Sequence, residues 1–524
     1  MTTERMMPHF SMGLNTYKVS KSLFEKNRQN LLKSLRKILP EDQVVGSIVY
    51  LEGGKEECRN DTDHEPVFRQ ESYFHYLFGV REPGYAGAIH IDSGLTILFI
   101  PRLPEDYATF MGHILTLDEV RQIYCVDEVM YIDEAEDHLG NFVSNETPSQ
   151  AFLMNGFNSD SGTEYMPPQF DSLQLGFNSD TSTLFAALAE CRVKKSRYEL
   201  DLIRHCTEIT SLAHVYAMVR TKPGMMEYQS ESLFKHFTYY NFGARHVGYT
   251  TICGCGPDGA VLHYGHAGAP NDRFIQDGDM CLFDMGAEYF CYGSDVTCSF
   301  PANGCFTENQ RIIYEGVLNA QRVVIEMVKP GVSWVDCHKA AEGEILKALV
   351  KLGIVKEGPM DIKALTDMRL GAVFMPHGLG HLIGIDTHDV GGYLPGHPKR
   401  SRAPGLCKLR TARILEENMT ITVEPGCYFI DHLIDEAIGA EYSPFSAFLN
   451  ADVLNQFRGF GGVRLEDVIA ITADGCENYT ICPRTIQEVE SVKAGEKWPP
   501  LRDTAPELRR TRLTDTAPRS SGFE

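Results

Sequence analysis

The most constraining feature of this chain is a near-repeat in its second half. One predicted helix runs into Lys222-Pro223-Gly224 and is followed by an amphipathic stretch reaching Gly243; another runs into Lys329-Pro330-Gly331 and is followed by a stretch reaching Gly353. Proline cannot continue a helix, so each unit reads helix, Pro-Gly turn, helix. After each unit comes a strand-rich segment holding a carboxylate, any residue, then glycine: Asp284-Met285-Gly286 first, Glu424-Pro425-Gly426 second. Two explanations stand at this point. Pro-Gly is a common helix stop and its recurrence incidental, or the segment is duplicated and two halves facing each other bring the carboxylates together.

Upstream, VVGSIVYLEG and GAIHIDSGLTILFIPR are short β-rich runs between Gly and charged clusters, the pattern of strands in a mixed α/β domain. Near 190–196 the basic cluster AECRVKKS ends in Ser196, which with Glu199 forms a capping-box signature. Leu200, Ile203, Cys206, Ile209, Ala213 and Tyr216 then follow at near-helical spacing. These signals predict an α/β domain over 1–191 and a second domain over 192–495. The stretch 496–524, which repeats DTAP and has almost no large apolar residues, is expected to be disordered.

Composition narrows the partners. With 49 Lys and Arg against 71 Asp and Glu the net charge is −22, which repels phosphate backbones and anionic lipid, so neither nucleic acid nor a membrane surface is expected as partner. No apolar run is long enough to span a bilayer, and MTTERMMPHFSMG lacks the basic start and apolar core of a signal peptide. The 15 cysteines are an odd number without CxxC pairs, which indicates neither a disulfide framework nor a zinc knuckle; a reducing cytoplasm is the expected compartment.

The chemistry gathers in four segments. In MCLFDMGAEYFCYGSDVTCSF two β-like runs are joined by a turn containing Gly and Tyr, and hairpin pairing puts Asp284 and Asp295 on one face. In MTITVEPG, alternation sets Met419, Ile421 and Val423 on one face and Thr420, Thr422 and Glu424 on the other. Glu466 opens an apolar strand run from Val468 to Ile471, where a buried carboxylate needs a partner. His377 and His381 in PHGLGHLIG have the spacing of two ligands on a helix, but Gly378 and Gly380 argue against a helix and the glutamate of HExxH is missing. His388 follows in THDVGGY, and His263 lies in VLHYGH. Each histidine alone reads as a hydrogen-bonded loop residue. Together with four strand carboxylates and no thiolate, they point to a harder divalent ion such as manganese rather than structural zinc. Two ions about 3.5 to 4 Å apart activate a bridging hydroxide and polarise a carbonyl, which is hydrolytic machinery. Gly254-Cys255-Gly256-Pro257-Asp258-Gly259 fits GxGxxG, but AVLHYG after it reads as a strand and not as a helix opening on a pyrophosphate.

The segments VLHYGHAGAPNDR, CLFDMGAEYFCYGSDVTCSFPANG, FMPHGLGHLIGIDTHDVGGY, TVEPGCYFIDH and GFGGVRLED resemble the pita-bread metallopeptidases, a family that includes Xaa-Pro dipeptidases (prolidases), aminopeptidase P, methionine aminopeptidase and creatinase. The likeness is to the Xaa-Pro dipeptidases, and it continues upstream through FRQESYFHYLFGVREPG and IPRLP, so it covers nearly the whole chain. It implies an N-terminal creatinase-type mixed-sheet α/β domain and a C-terminal pseudo-twofold pita-bread α/β domain, which makes the near-repeat a duplication. It also implies hydrolysis of Xaa-Pro dipeptides, two Mn²⁺ per subunit and a homodimer. Carried over by position, Asp284, Asp295, His381, Glu424 and Glu466 are the metal ligands, with Asp295 and Glu466 bridging. Glu424 also moves the proton from the bridging water to the leaving imino nitrogen. His263 and His388 match pocket histidines that stabilise the oxyanion. Arg410, in LRTAR, matches the arginine that grips the dipeptide's carboxylate with its planar fork. His377, Tyr249 and Arg464 match residues that orient ligands.

Two other activities are compatible with parts of this pattern. Aminopeptidase P, acting on longer Xaa-Pro peptides, keeps the same ligands; inert pita-bread binding modules have lost them. The long N-terminal domain stands against methionine aminopeptidase, and the full ligand set against creatinase, which needs no metal. The stretch 433–457 and the C-terminal tail depart from the family pattern, so contacts at pocket loops and a dimer interface are not carried over.

Overall fold

A computed structural model describes residues 8–143, 149–168, 176–266, 268, 270–358, 360–439 and 443–511. The chain divides into two compact units, Met1–Glu199 and Leu200–Glu524. The junction falls inside the helix that the capping box predicts: Glu199 accepts the Ser196 amide at 2.7 Å, and the Ser196 hydroxyl accepts the Glu199 amide at 3.4 Å.

The first unit is built on α1 (Ser22–Ile38) and a six-stranded mixed sheet of β1 (Ile48–Glu52), β2 (Ala86–His90), β3 (Thr96–Ile100), β4 (Glu128–Tyr131), β5 (Gln150–Leu153) and β6 (Asn178–Asp180). The strand order is β6-β5-β1-β2-β3-β4. β1, β2 and β3 pair antiparallel and the remaining pairs are parallel. The β-rich runs read from sequence are β1, β2 and β3. β3 is buried at every position, as expected of a strand covered on both faces. One face gathers Ile48, Tyr50, Ile97, Phe99 and Leu153 into a core.

The second unit realises the near-repeat. Its first half opens with α2 (Arg197–Arg220) and α3 (Glu227–Phe242), followed by the antiparallel strands β7 (Ile252–Cys255), β8 (Met280–Asp284) and β9 (Thr297–Pro301). The second half opens with α4 (Glu308–Met327) and α5 (Trp334–Lys351). Its strands are β10 (Thr420–Val423), β11 (Gly426–Tyr428), β12 (Gly462–Arg464), β13 (Asp467–Ile471) and β14 (Cys476–Asn478), with β10-β13-β14 in one sheet and β11 paired to β12. α4 starts on a capping box of Thr307 and Gln310 and buries Ile313, Val317 and Val324.

The two halves share their hydrogen bonds. The Gly224 amide donates to the Ile275 carbonyl at 2.8 Å and the Gly331 amide to the Leu415 carbonyl at 2.9 Å. The Glu227 and Trp334 amides donate to the carbonyls of Arg273 and Arg413, both at 3.1 Å. Gly224 and Gly331 have φ of 89° and 91°, the left-handed backbone for which glycine is the unstrained residue. Arg273 with Arg413, Ile275 with Leu415, and Asp284 with Glu424 are all separated by one and the same sequence offset. The Pro-Gly turns therefore belong to a duplication and are not isolated stop signals.

Three expectations need correction. Order continues past 496: Trp498 is buried, Pro506–Leu508 forms a helical turn, and buried Arg510 donates to Glu488 at 2.9 and 3.1 Å, to the Cys482 carbonyl at 3.1 Å and to Asp503. A polar composition suggested disorder, but these charged residues find buried partners on the domain; residues 512–524 lie outside the described residues. The turn between Asp284 and Asp295 is made by Phe290 and Cys291, with φ of 47° and 62°, between the paired residues Tyr289 and Tyr292. The residues after Gly254-Cys255 form the helical turn Gly256–Ala260 and, as far as Gly265, further turns rather than the expected strand.

Candidate metal centre

The four acids converge because each sits where a strand stops or starts. Asp284 is the last residue of β8 and pairs with Thr297 of β9. Asp295, two residues before Thr297, keeps to the same face. Glu424 follows β10 directly and Glu466 directly precedes β13, at the paired ends Val423 and Asp467. Two glycines make the approach possible. A Cβ on Gly286 would stand 1.8 Å from the Ser294 carbonyl oxygen, and one on Gly380 would stand 2.0 Å from that of Thr422.

Asp295, His381 and Glu466 are 5%, 3% and 1% exposed. His381 Nδ1 faces the Leu382 carbonyl at 3.0 Å and so carries a proton. Its Nε2 is turned toward the acids, 3.3 Å from Asp295 Oδ2, 3.5 Å from Glu424 Oε1 and 3.9 Å from Glu466 Oε1. Three overlapping sets have ligand atoms within 4.8 Å of one another: Asp295, His381 and His388; His381, Glu424 and Glu466; Asp284, Asp295 and Glu466. Among the described residues these are the groups able to hold a metal ion.

The charge balance shows what the cluster needs. Burial lifts the Asp284 carboxyl to about 6, with Asp295 adding to the effect and Arg464 opposing it. Burial also lifts Glu424 to about 7 against the pull of His381 and Arg464. Glu466 is pushed well above the usual carboxylate range by burial and then by Asp295. Burial works on Asp295 too, but its hydrogen bond to His381 holds it below the ordinary value, and His381 is raised by the same pairing against its own burial. Asp295 Oδ1 is buried without a hydrogen-bond partner. Oxygen donors crowded in this way, with imidazole and no thiolate, fit divalent cations.

Around the acids runs a network of donors. Arg464 Nη2 donates to Asp284 Oδ2 at 2.6 Å, Nη1 to the Tyr428 hydroxyl at 2.7 Å, and Nε to Thr297 Oγ1 at 3.1 Å. Thr297 in turn donates its hydroxyl hydrogen bond to Glu466 Oε2 at 2.7 Å, and Tyr249 donates to Asp284 Oδ1. His377 Nδ1 faces the Gly378 carbonyl at 2.7 Å, leaving Nε2 to accept from Tyr428 at 3.0 Å. Burial and then Arg464 push His377 down to about 3, so it is neutral. At the rim, His388 is exposed and stands edge-on to His381, with ring centroids 4.5 Å apart. His263 is exposed and Arg410 half-buried. Desolvation lowers both histidines, and Arg410 lowers both further, so its charge is felt at each ring.

Residues 201–473 match metallopeptidase family M24, and residues 24–151 match the aminopeptidase P N-terminal domain. The chain belongs to metallopeptidase family M24. As an M24 member it is 49% identical over 488 residues to an Xaa-Pro dipeptidase of Homo sapiens, covering 93% of this chain and 96% of that one. It is 35% identical over 457 residues to a probable Xaa-Pro aminopeptidase of Emericella nidulans, covering 86% of this chain and 93% of that one. The structure of Pseudomonas aeruginosa aminopeptidase PepP superposes with a TM-score of 0.72 at 28% identity, covering 92% of this chain and 99% of that one. The architecture is thus the M24 one: an aminopeptidase P-type N-terminal α/β domain followed by a pita-bread α/β domain. An M24 metallopeptidase uses divalent metal, and the acid cluster offers candidate donors for it.

Sequence reasoning missed three residues of the network around the acids. Thr297 and Tyr428 carry the network, and Thr422 accepts the His381 amide at 3.0 Å while donating to Glu424 Oε1 at 3.3 Å. A signal was present for the threonines: hydroxyls in strands buried on both faces need partners.

Proposed function

We propose that this M24 protein hydrolyses Xaa-Pro dipeptides, releasing proline, with two Mn²⁺ held by Asp284, Asp295, His381, Glu424 and Glu466. The observation that supports this most is the 49% identity, over nearly the full length of both chains, to the human Xaa-Pro dipeptidase. The donor cluster agrees with it: the three ligand sets overlap through Asp295, His381 and Glu466, each of which belongs to two of them, and together the sets contain all five proposed ligands. When bound, the ions supply a nucleophile from water at neutral pH and polarise the scissile carbonyl.

The chain's own residues do the rest. Glu424 takes the proton from the attacking water and hands it to the prolyl nitrogen, a general-base and then general-acid role open to a carboxylate at the edge of the acid cluster. His263 and His388 are neutral at the working pH and donate to the oxygen that becomes negative. Arg410 binds the substrate carboxylate, which selects a dipeptide because only there does the carboxylate follow proline directly. Tyr249 and Arg464 fix Asp284 from two sides, and His377 braces Arg464 through Tyr428. An Xaa-Pro bond has no amide N–H to donate and its ring fixes φ, so a site that grips carboxylate and carbonyl handles it where strand-pairing peptidases do not. Homodimerisation and a reducing, cytoplasmic setting belong to the same proposal; all 15 cysteines are free thiols.

The test is to strip the protein with a chelator, confirm loss of Gly-Pro cleavage, and restore it with Mn²⁺ while counting bound ions. Two ions per chain and recovered proline release are expected. One ion at full activity contradicts the dinuclear assignment. The second activity, removal of Xaa from longer Xaa-Pro peptides, is favoured by the likeness to PepP and is separated by substrate length.

A further inference from the structure

Behind the residues that face the acids, the second helix of each half aims a row of side chains at a loop of the site. On α5, Trp334, His338 and Glu342 recur at one-turn spacing and are each fully buried. Trp334 Nε1 donates to the Gly380 carbonyl at 3.2 Å, and the Leu379 amide donates to His338 Nδ1 at 3.2 Å. Leu379 and Gly380 are the two residues immediately before His381. A backbone amide only donates, so His338 Nδ1 is bare and its proton sits on Nε2, 3.1 Å from Glu342 Oε1. Glu342 is held in turn by both terminal nitrogens of Arg369, whose Nε donates to the Pro404 carbonyl at 2.9 Å.

α3 uses the equivalent positions with different chemistry. Glu227 accepts the Cys255 amide and the Tyr264 hydroxyl, both at 2.7 Å. Glu231 accepts the Thr251 hydroxyl at 2.8 Å and the Asn271 side-chain amide at 2.7 Å, so the two glutamates clasp both sides of the segment that carries His263. Lys235 pairs with Glu231 where Glu342 pairs with His338. The same helical face does the same job in both halves although no side chain is kept, which marks the positions as a device of the fold and not a chance contact.

We propose that Trp334 and His338 are positioning residues for His381: they hold the Leu379-Gly380 peptide from helix α5 and so fix where His381 Nε2 points. The inference rests on the reading of His381 as a metal ligand. Without His338 Nδ1 the buried Leu379 amide loses its acceptor, and the loop must shift to find another. A ligand displaced in this way loses metal affinity even though nothing that touches the metal has changed.

Two near-isosteric variants separate positioning from packing. In His338→Asn the side-chain oxygen stands where Nδ1 stands, facing the Leu379 amide; in His338→Gln the terminal amide reaches Glu342 and leaves Leu379 without an acceptor. The full-length protein, stripped with a chelator, is titrated with Mn²⁺ alone by calorimetry, with circular dichroism as the check on folding. His338→Gln is expected to weaken Mn²⁺ binding by about 10- to 100-fold, with His338→Asn near wild type. The reverse order, with His338→Gln binding like wild type, overturns the proposal. Should His338→Gln fail to fold, Trp334→Phe removes the bond to the Gly380 carbonyl together with part of the buried indole's packing, and wild-type Mn²⁺ affinity in that variant overturns the proposal equally. His381→Ala is the control: its Mn²⁺ binding must weaken whatever His338 does. If it does not, the reading of His381 as a ligand fails and takes the proposal with it.

Discussion

Arg464 Nη2 lies 2.6 Å from Asp284 Oδ2, so a guanidinium at the end of β12 in the second half holds the carboxylate at the end of β8 in the first. The same guanidinium reaches Tyr428 and Thr297, and through Thr297 it reaches Glu466. One cation thus orients acids from both halves, and the duplication is tied together at the candidate metal centre.

Asp284→Asn keeps the shape of this junction and removes its charge. Turnover is expected to fall on the order of 10³-fold or more, beyond what losing an outer contact costs, while the circular dichroism spectrum stays native. Wild-type turnover in a folded variant excludes Asp284 as a ligand.

Arg410→Ala tests the carboxylate grip. Losing a charged hydrogen-bonded pair of about 2 to 3 kcal/mol should raise KM for Gly-Pro roughly 30- to 150-fold. Gly-Pro amide, which offers no carboxylate, should lose little. Equal losses for the two substrates remove the role.

The pH dependence of the metal-free protein follows from the raised acids. Asp284 and Glu424 titrate at about 6 and about 7 when folded, against ordinary values of 3.8 and 4.5. Below the ordinary values both states are protonated and no stability is lost. As pH rises, the unfolded chain releases protons that the folded one still holds, so stability falls until pH passes the folded values near 6 and 7. Asp295, depressed by His381, acts in the opposite sense and only at lower pH. Bound cations reverse the penalty by stabilising the ionised acids. Melting curves of chelated and Mn²⁺-loaded protein should therefore diverge as pH rises from about 4 to about 7. A gap that does not change across this range contradicts the cluster's charge balance.

Arg510→Met removes a buried charge from Glu488 and Asp503, both of which it pairs. Denaturant unfolding is expected to show a loss of about 3 to 5 kcal/mol, with kcat per folded molecule unchanged. A loss within surface-mutation range, about 0.5 kcal/mol, would mean that the ordered tail contributes nothing.

Much of the architecture was legible before any coordinate. The Pro-Gly turns point to the duplication because each is followed by a second helix and then by a carboxylate-x-Gly triplet, an order that a stop signal alone does not produce, and the triplets mark the ends of β8 and β10. Asp284, Asp295, Glu424 and Glu466 stood out as acids next to apolar strands, and the structure brings them together with His381. Of Thr297 only the need for a partner was legible, and Tyr428 was not legible at all, because the role of both depends on Arg464. The tail misled for the converse reason: composition records how polar Asp503 and Arg510 are, but not that each other and Glu488 satisfy them in a buried setting. The turn at Phe290 and Cys291 defied the expectation of glycine because Tyr289 and Tyr292, buried on either side, fix the strand ends and impose the backbone between them.

The central claim is that the site acts on dipeptides and not on longer chains. The most direct measurement is kcat/KM of the Mn²⁺-loaded protein for Gly-Pro against Gly-Pro-Gly in one assay. The account predicts a strong preference for Gly-Pro, on the order of 10²-fold, the scale set by the charged carboxylate contact at Arg410. Cleavage of Gly-Pro-Gly with Gly-Pro left intact would contradict it and assign the protein to the aminopeptidase P activity instead.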